Sequence, residues 1–293
     1  MKVNYLILSF AAAAMLASCS SEFDPTADVD GKSVVSFTAQ LPASLGRSYG
    51  DGFTATRLQY AVFDEAGNAL PKLSGETEFQ SNSLKTTVDI QLLNSKKYKV
   101  AFWASAPGAP YEFDATAGTV TAKYTDATTS NLETLDAFWG VTDLLSVDGD
   151  ATVSVTMKRP LSQINIGTSD LTTVRDAGTT VAKVSVTVDN AYTKLDLLTG
   201  AAVGDPETVT FGYGAIPTGE DFPISGNEYL AMNYVMVGTE PITANVTFAI
   251  EGIDASHSFT EVPLRANYRT NLYGALLSTS SGGDVGIDPS FSE

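Results

Sequence analysis

The feature that most constrains this chain is the recurrence of apolar residues at every second position, in short runs that stop at turn residues. Val34-Val35-Ser36-Phe37-Thr38-Ala39-Gln40-Leu41 is the clearest run, β-branched and aromatic, and it ends at Pro42. Because strand side chains alternate between faces, Val35, Phe37, Ala39 and Leu41 share one apolar side. Residues 56–63 read the same way and close on the turn signal Asp64-Glu65-Ala66-Gly67-Asn68; 84–92, 99–103 and 151–157 follow. No long helical periodicity occurs, and Asn131 to Trp139 reads as one short helix or a compact loop. Pro160, in Lys158-Arg159-Pro160, lacks a ladder donor and marks a break. The strand pattern then restarts at 161–166, 181–188, 194–198, 229–237, 242–250 and 258–262, with one helical turn hinted at 171–177. Short strands between turns predict an all-β chain of antiparallel sandwiches. The break predicts two domains, 33–158 and 159–277.

The chain has 293 residues and is 43% apolar, enough to fill two cores and too apolar for disorder. Its 34 acidic residues outnumber 17 Lys and Arg, a net charge of −17 that argues against a phosphate-tracking nucleic-acid partner. One Cys and one His exclude a disulfide framework and a Cys/His zinc cluster. A Ser-His-Asp or Cys-His site could centre only on His257, which reads as a surface residue in a turn. Asp148-Gly149-Asp150 lacks the later ligands of a calcium loop and reads as a hairpin turn. Trp103 and Trp139 each follow a Phe, which points to core packing rather than to sugar stacking. Asn245-Val246-Thr247 is a glycosylation sequon inside an expected strand. No phosphate loop or enzymatic motif appears, so no catalytic residue, metal or cofactor is expected.

The single cysteine has a distinctive position. Met1-Lys2-Val3-Asn4 precedes an apolar stretch from Tyr5 to Leu16, then Ala17-Ser18-Cys19, which has the layout of a secretory signal over residues 1–18. Leu16-Ala17-Ser18-Cys19 resembles the lipobox of bacterial lipoproteins, which implies cleavage before Cys19 and a diacylglycerol on its sulfur. Two or three acyl chains hold a protein stably at a membrane where one does not. Residues 19–32 are acidic and turn-rich, and read as a solvated tether.

Larger motifs extend the resemblance over nearly the whole chain. These are the run 34–41 followed by Gly46-Arg47-Ser48, then Leu58-Gln59-Tyr60-Ala61-Val62-Phe63-Asp64 and Val100-Ala101-Phe102-Trp103-Ala104. Lys158-Arg159-Pro160-Leu161-Ser162-Gln163-Ile164-Asn165, Leu230-Ala231-Met232-Asn233-Tyr234 and Asn267-Tyr268-Arg269-Thr270-Asn271-Leu272-Tyr273-Gly274 complete the set. In this order they resemble the fimbrillin-like lipoproteins of Bacteroidales, subunits of type V pili. The resemblance implies two transthyretin-like β-sandwich domains in tandem and a lipidated precursor at the outer membrane. It also implies removal of the first strand by an Arg-directed protease, and assembly with other fimbrial subunits, of the same or another kind, by donor-strand exchange at the cell surface.

On this sequence the implied cut falls between Arg47 and Ser48, inside the glycine-containing stretch 42–52, with Arg57 as the nearby alternative inside an expected strand that should protect it. The displaced strand would carry Val35, Phe37, Ala39 and Leu41. Its loss would leave an open sheet edge beside an apolar groove, a template for another strand. The C-terminal piece 278–293 supplies a candidate: a Ser- and Gly-rich linker precedes Val285, Ile287, Pro289 and Phe291, which share one face. The alternative is that this tail pairs within its own domain. Pro289 suits only an edge strand. Other readings of the chain are a fimbrial anchor or tip subunit, or a surface glycan-binding lipoprotein.

Overall fold

The computed structural model describes residues 31–42, 50–125, 128–254, 256–278 and 285–289. Cys19, Arg47, Ser48 and Phe291 lie outside them. Gly31–Glu293 form one compact unit. Its strands in chain order are β1 (Lys32–Gln40), β2 (Arg57–Asp64), β3 (Gly75–Glu78), β4 (Lys85–Leu93), β5 (Lys96–Ser105), β6 (Tyr111–Asp114) and β7 (Thr119–Ala122). They continue with β8 (Ala137–Val141), β9 (Leu145–Val147), β10 (Ala151–Thr156), β11 (Leu161–Thr168) and β12 (Lys183–Ala191). The last are β13 (Lys194–Asp196), β14 (Glu207–Ala215), β15 (Glu228–Met236), β16 (Ile242–Ile250), β17 (Ser256–Leu264), β18 (Arg269–Gly274) and β19 (Gly286–Asp288). One short helix, α1 (Leu171–Asp176), sits at the predicted helical turn. The protein is an all-β sandwich.

Four larger sheets carry the fold. Before Lys158, the order is β10-β1-β4 in one sheet and β3-β2-β5-β8 in the other; after it, β15-β11-β18-β19 and β14-β12-β16-β17. A small sheet, β13-β7-β6, crosses that division. The two halves repeat one arrangement. β1 lies between antiparallel β4 and parallel β10, and β11 lies between antiparallel β15 and parallel β18. In each half the first strand thus pairs with a late one, which closes the sheet across the length of that half. The parallel pairs depart from the purely antiparallel expectation.

Packing explains why some strands lack alternation in the sequence. Leu58, Val62, Val100, Phe102 and Phe138 face the sheet that contains β1, and all are buried. The intervening Ala61, Phe63, Ala101, Trp103 and Trp139 face a second core shared with Ile164, Val186 and Phe211 from beyond Lys158. A strand buried on both faces reads as a continuous apolar run, as Val100-Ala101-Phe102-Trp103-Ala104 does.

Several local expectations are corrected. Asn131 to Trp139 holds the expected short helix only in part: a 3-10 helix at Glu133–Leu135 leads into β8, which contains Phe138 and Trp139. His257 lies in β17 opposite Phe248, not in a turn, and its ring meets the Phe259 ring edge-on at 5.0 Å. Asp148-Gly149-Asp150 is a turn, but it links β9, which pairs with β5, to β10, which pairs with β1, so it joins two sheets rather than a hairpin. The strand β14 was not anticipated, although Val209 and Phe211 alternate with Thr208 and Thr210.

Candidate functional site

β1 is fully integrated on three sides. Val35, Phe37, Ala39 and Leu41 are buried, as their period predicts, and the Phe37 ring lies 6.1 Å from that of Phe102. On the same face Val35 sits beside Ile90, and Phe37 between Val88 and Val153. The opposite face is half-buried and mostly polar: Ser36 Oγ donates to Asp89 Oδ1 at 2.5 Å, and Thr38 and Thr87 hydroxyls meet at 3.0 Å. Backbone pairing extends beyond the strand, with Leu41 N–H donating to Leu84 O (2.8 Å) and Met157 N–H to Gln40 O (2.8 Å). At its start Val34 N–H donates to Asp150 Oδ1 at 2.8 Å. β1 is therefore a central strand. Its removal would leave a slot between β4 and β10 rather than the open edge expected from sequence.

The chain returns at Gly50, where a buried polar cluster that sequence reasoning missed takes hold of it. Glu133 Oε1 accepts from Gly50 N–H at 2.6 Å, and Arg159 Nη2 donates to Gly50 O at 3.0 Å. Gly50 has φ +78°, and a Cβ there would lie 3.2 Å from Arg159 Nη2, so glycine suits both the conformation and the space. Arg159 is paired with Asp136 through Nε–Oδ1 at 2.5 Å and Nη2–Oδ2 at 2.7 Å. Tyr234 Oη donates to Glu133 Oε2 at 2.8 Å. Burial, reinforced by the nearby Asp136 carboxylate, pushes the Glu133 carboxyl up to about 7. Burial also raises Asp136, against the opposing pull of Arg159. Beyond Gly50, Gly52 packs under the Phe138 ring and Thr54 Oγ1 donates to Glu133 O at 3.2 Å. Its members lie in separate sequence features, Gly50 in the stretch 42–52, Glu133 and Asp136 in 131–139, Arg159 at the break and Tyr234 in the 230–234 motif, and nothing in those features joins them.

The tail segment lies at an edge. β19 pairs antiparallel with β18 through Asn271–Asp288, Leu272–Ile287 and Tyr273–Gly286, so this part of the tail takes the in-domain alternative. Ile287 is on the core-facing side beside Leu272, yet Val285 and Ile287 are 41% and 38% exposed. Asn271 Nδ2 donates to Asp288 Oδ2 at 3.2 Å on the other face. A three-residue edge strand with half-covered apolar side chains is held weakly compared with β1. The tryptophans are core residues: Trp103 stacks edge-on with Tyr111 at 5.1 Å, and Trp139 Nε1 donates to Leu197 O at 2.9 Å. Among the described residues no group of three or more His, Cys, Asp or Glu is placed to hold a metal.

The sheets and their order define a class, an all-β sandwich protein of the architecture found in fimbrial proteins. Three solved structures share it. One is the fimbrial anchor protein Mfa2 from Porphyromonas gingivalis, at 10% identity and TM-score 0.53, over 87% of this chain and 98% of that one. Another is the tip fimbrial protein Mfa3 from the same organism with C-terminal truncation, at 8% identity and TM-score 0.51, over 88% and 98%. The third, from Bacteroides thetaiotaomicron, is described as a candidate polysaccharide-binding protein, at 13% identity and TM-score 0.55, over 88% and 98%. At such identities the likeness is one of fold. Residues 25–293 match the model of DUF6562, a family of unknown function, and the chain belongs to that family. No curated protein matches it.

Proposed function

We propose that this protein is the precursor of a cell-surface fimbrial subunit, organised as sandwich domains 33–158 and 159–277 and tethered to the outer membrane through lipid on Cys19. An Arg-directed protease cuts after Arg47, β1 leaves, and a strand from another subunit enters the slot between β4 and β10. The observation that carries this reading is the contrast between β1 and Gly50. β1 is a central strand whose covalent link to the fold on its C-terminal side runs through 43–49, whereas Gly50 is fixed by Glu133 and Arg159. A cut between them frees the strand and leaves the new N-terminal region anchored.

The energetics favour replacement over a permanent vacancy. Burying Val35, Phe37 and Leu41 contributes about 1.5–3 kcal/mol each, roughly 4.5–9 kcal/mol in all. The slot would also expose unpaired backbone groups on β4 and β10, which a new strand satisfies. The tail supplies Val285, Ile287, Pro289 and Phe291 at period two, and its residues 286–288 make only a short edge pairing with β18 in the precursor. A head-to-tail contact of this kind propagates into a fibre.

Limited digestion of the purified precursor with trypsin, followed by N-terminal sequencing and negative-stain microscopy, tests the reading. It expects a fragment starting at Ser48 and filaments after digestion. A cut at Ser48 without filaments would favour a tip subunit; resistance of 43–49 to cleavage would defeat the mechanism and fit an anchor subunit that keeps its first strand.

A further inference from the structure

α1 begins at Leu171, and Asp170 stands at its N-cap position. An aspartate there ordinarily accepts from the first free N–H groups of its own helix. The Asp170 side chain makes no such bond. Glu228 Oε1 serves the helix instead, accepting from Thr172 N–H at 3.3 Å and from the Thr172 hydroxyl at 2.9 Å. The Asp170 carboxylate turns to the end of the domain, where Oδ2 accepts from Leu277 N–H at 3.2 Å and from Ser278 N–H at 2.8 Å.

Further bonds hold the chain at the same place. Ser169 N–H donates to Gly274 O at 2.9 Å, Leu276 N–H to Thr168 Oγ1 at 3.1 Å, and the Thr168 hydroxyl to Asp170 Oδ1. Thr168, Asp170, Leu276 and Leu277 are all buried. Burial pushes the Asp170 carboxyl up, but the bonds from Thr168, Ser278 and Leu277 outweigh it and keep the group below its ordinary value, so at neutral pH these bonds are charge-assisted. β19, by contrast, has three residues of edge pairing with β18, and Val285 and Ile287 are half-exposed. A strong hold on the chain therefore ends at Ser278, and a weak one starts at Gly286.

We propose that Asp170 is the fixed pivot of the donor tail. It acts so on the donor-strand reading proposed above, and it sets where release stops: β19 leaves β18, while residues through Ser278 stay in the C-terminal sandwich. Donation then costs the donor one edge strand and none of its core. The pivot also limits reach. The seven steps from Ser278 to Val285 span at most about 25 Å fully extended, so the slot between β4 and β10 of the receiving subunit must lie that close to the donor's Ser278. Without Asp170 the link would lengthen back towards Gly274 and loosen the joint between subunits.

Amide hydrogen exchange tests the pivot in the unassembled full-length protein. Deleting residues 284–293 removes the tail pairing, and the Leu276, Leu277 and Ser278 amides should still exchange as slowly as in wild type. Asp170→Ala should speed exchange at Leu277 and Ser278 at least about tenfold, the size of one lost charge-assisted hydrogen bond. Asp170→Asn, which keeps one acceptor oxygen, should speed it less. A deletion that frees these amides, or an Asp170→Ala protein that protects them as wild type does, would overturn the proposal. Filaments of Asp170→Ala should still form, with a persistence length at least about twofold shorter, and six Gly and Ser residues inserted after Ser278 should soften wild-type filaments without moving the unfolding midpoint. Wild-type stiffness in Asp170→Ala filaments would reduce Asp170 to a structural residue and overturn the pivot. Filaments that need the tail yet leave Leu277 and Ser278 open to exchange would overturn the pivot alone, whereas filaments indifferent to the deletion would remove the donor reading and the pivot with it.

Discussion

Asp136 and Arg159 form a bidentate ion pair with both side chains removed from solvent, at 0% and 9% exposure. The pair joins the strand β8 region to the start of β11, and through Arg159 Nη2 it also holds Gly50. Three segments distant in sequence therefore meet at one guanidinium.

Removing one partner leaves the other charge buried and alone. Asp136→Ala and Arg159→Met are each expected to destabilise the protein by about 3–5 kcal/mol in urea unfolding. The double variant Asp136→Leu with Arg159→Met is expected to lose less than the worse single change, because no uncompensated charge remains. A double variant at least as unstable as the sum of the singles would contradict this account.

Glu133 makes stability depend on pH in the opposite sense to an ordinary salt-bridged carboxylate. Its folded pKa, about 7, lies above the unfolded value of 4.5, so the folded state holds the proton more tightly. Its favourable contribution is fully present below about pH 4.5 and is lost as pH rises through about 7, a change of at most about 3 kcal/mol. Urea midpoints of wild type and Glu133→Gln across this window check it: the substitution should flatten that part of the profile.

Arg47→Ala is expected to leave folding and export intact and to block entry into fibres, since the other end of the joint, Gly50, is anchored independently. Wild-type levels of filaments from this variant, seen by microscopy, would show that cleavage there is not the trigger.

Ile287→Asp puts a carboxylate where the donor strand would enter the β1 slot. In the precursor Ile287 is 38% exposed, so unfolding should shift by less than about 1 kcal/mol. In the assembled slot an unpaired charge costs several kcal/mol, and filaments should be lost. Deleting residues 284–293 should have the same two effects. Asp288→Ala, which removes only the 3.2 Å bond from Asn271, should assemble normally. Filaments that survive the deletion would assign the donor strand elsewhere.

Cys19→Ala is expected to abolish acylation and membrane association of the precursor. Metabolic labelling with a palmitate analogue is the measurement, and continued labelling of the variant would count against the lipobox reading.

What this sequence determines alone is local. Period-two alternation places Val35, Phe37, Ala39 and Leu41 on one buried face, and the cues at Pro42, Asp64 and Pro160 punctuate the strands, because alternation and turn chemistry act between neighbouring residues. Short strands such as β6 and β7 carry too few residues for a period to emerge, and β7 joins residues 119–121 to 194–196 across the Lys158 break. Tertiary structure alone decided that β1 lies between β4 and β10, since the parallel β1–β10 register joins Val35 to Ala151. It also brought Glu133 and Tyr234 together from 101 positions apart. Such contacts depend on the energy of whole sheets packing, and no short window of residues contains that information.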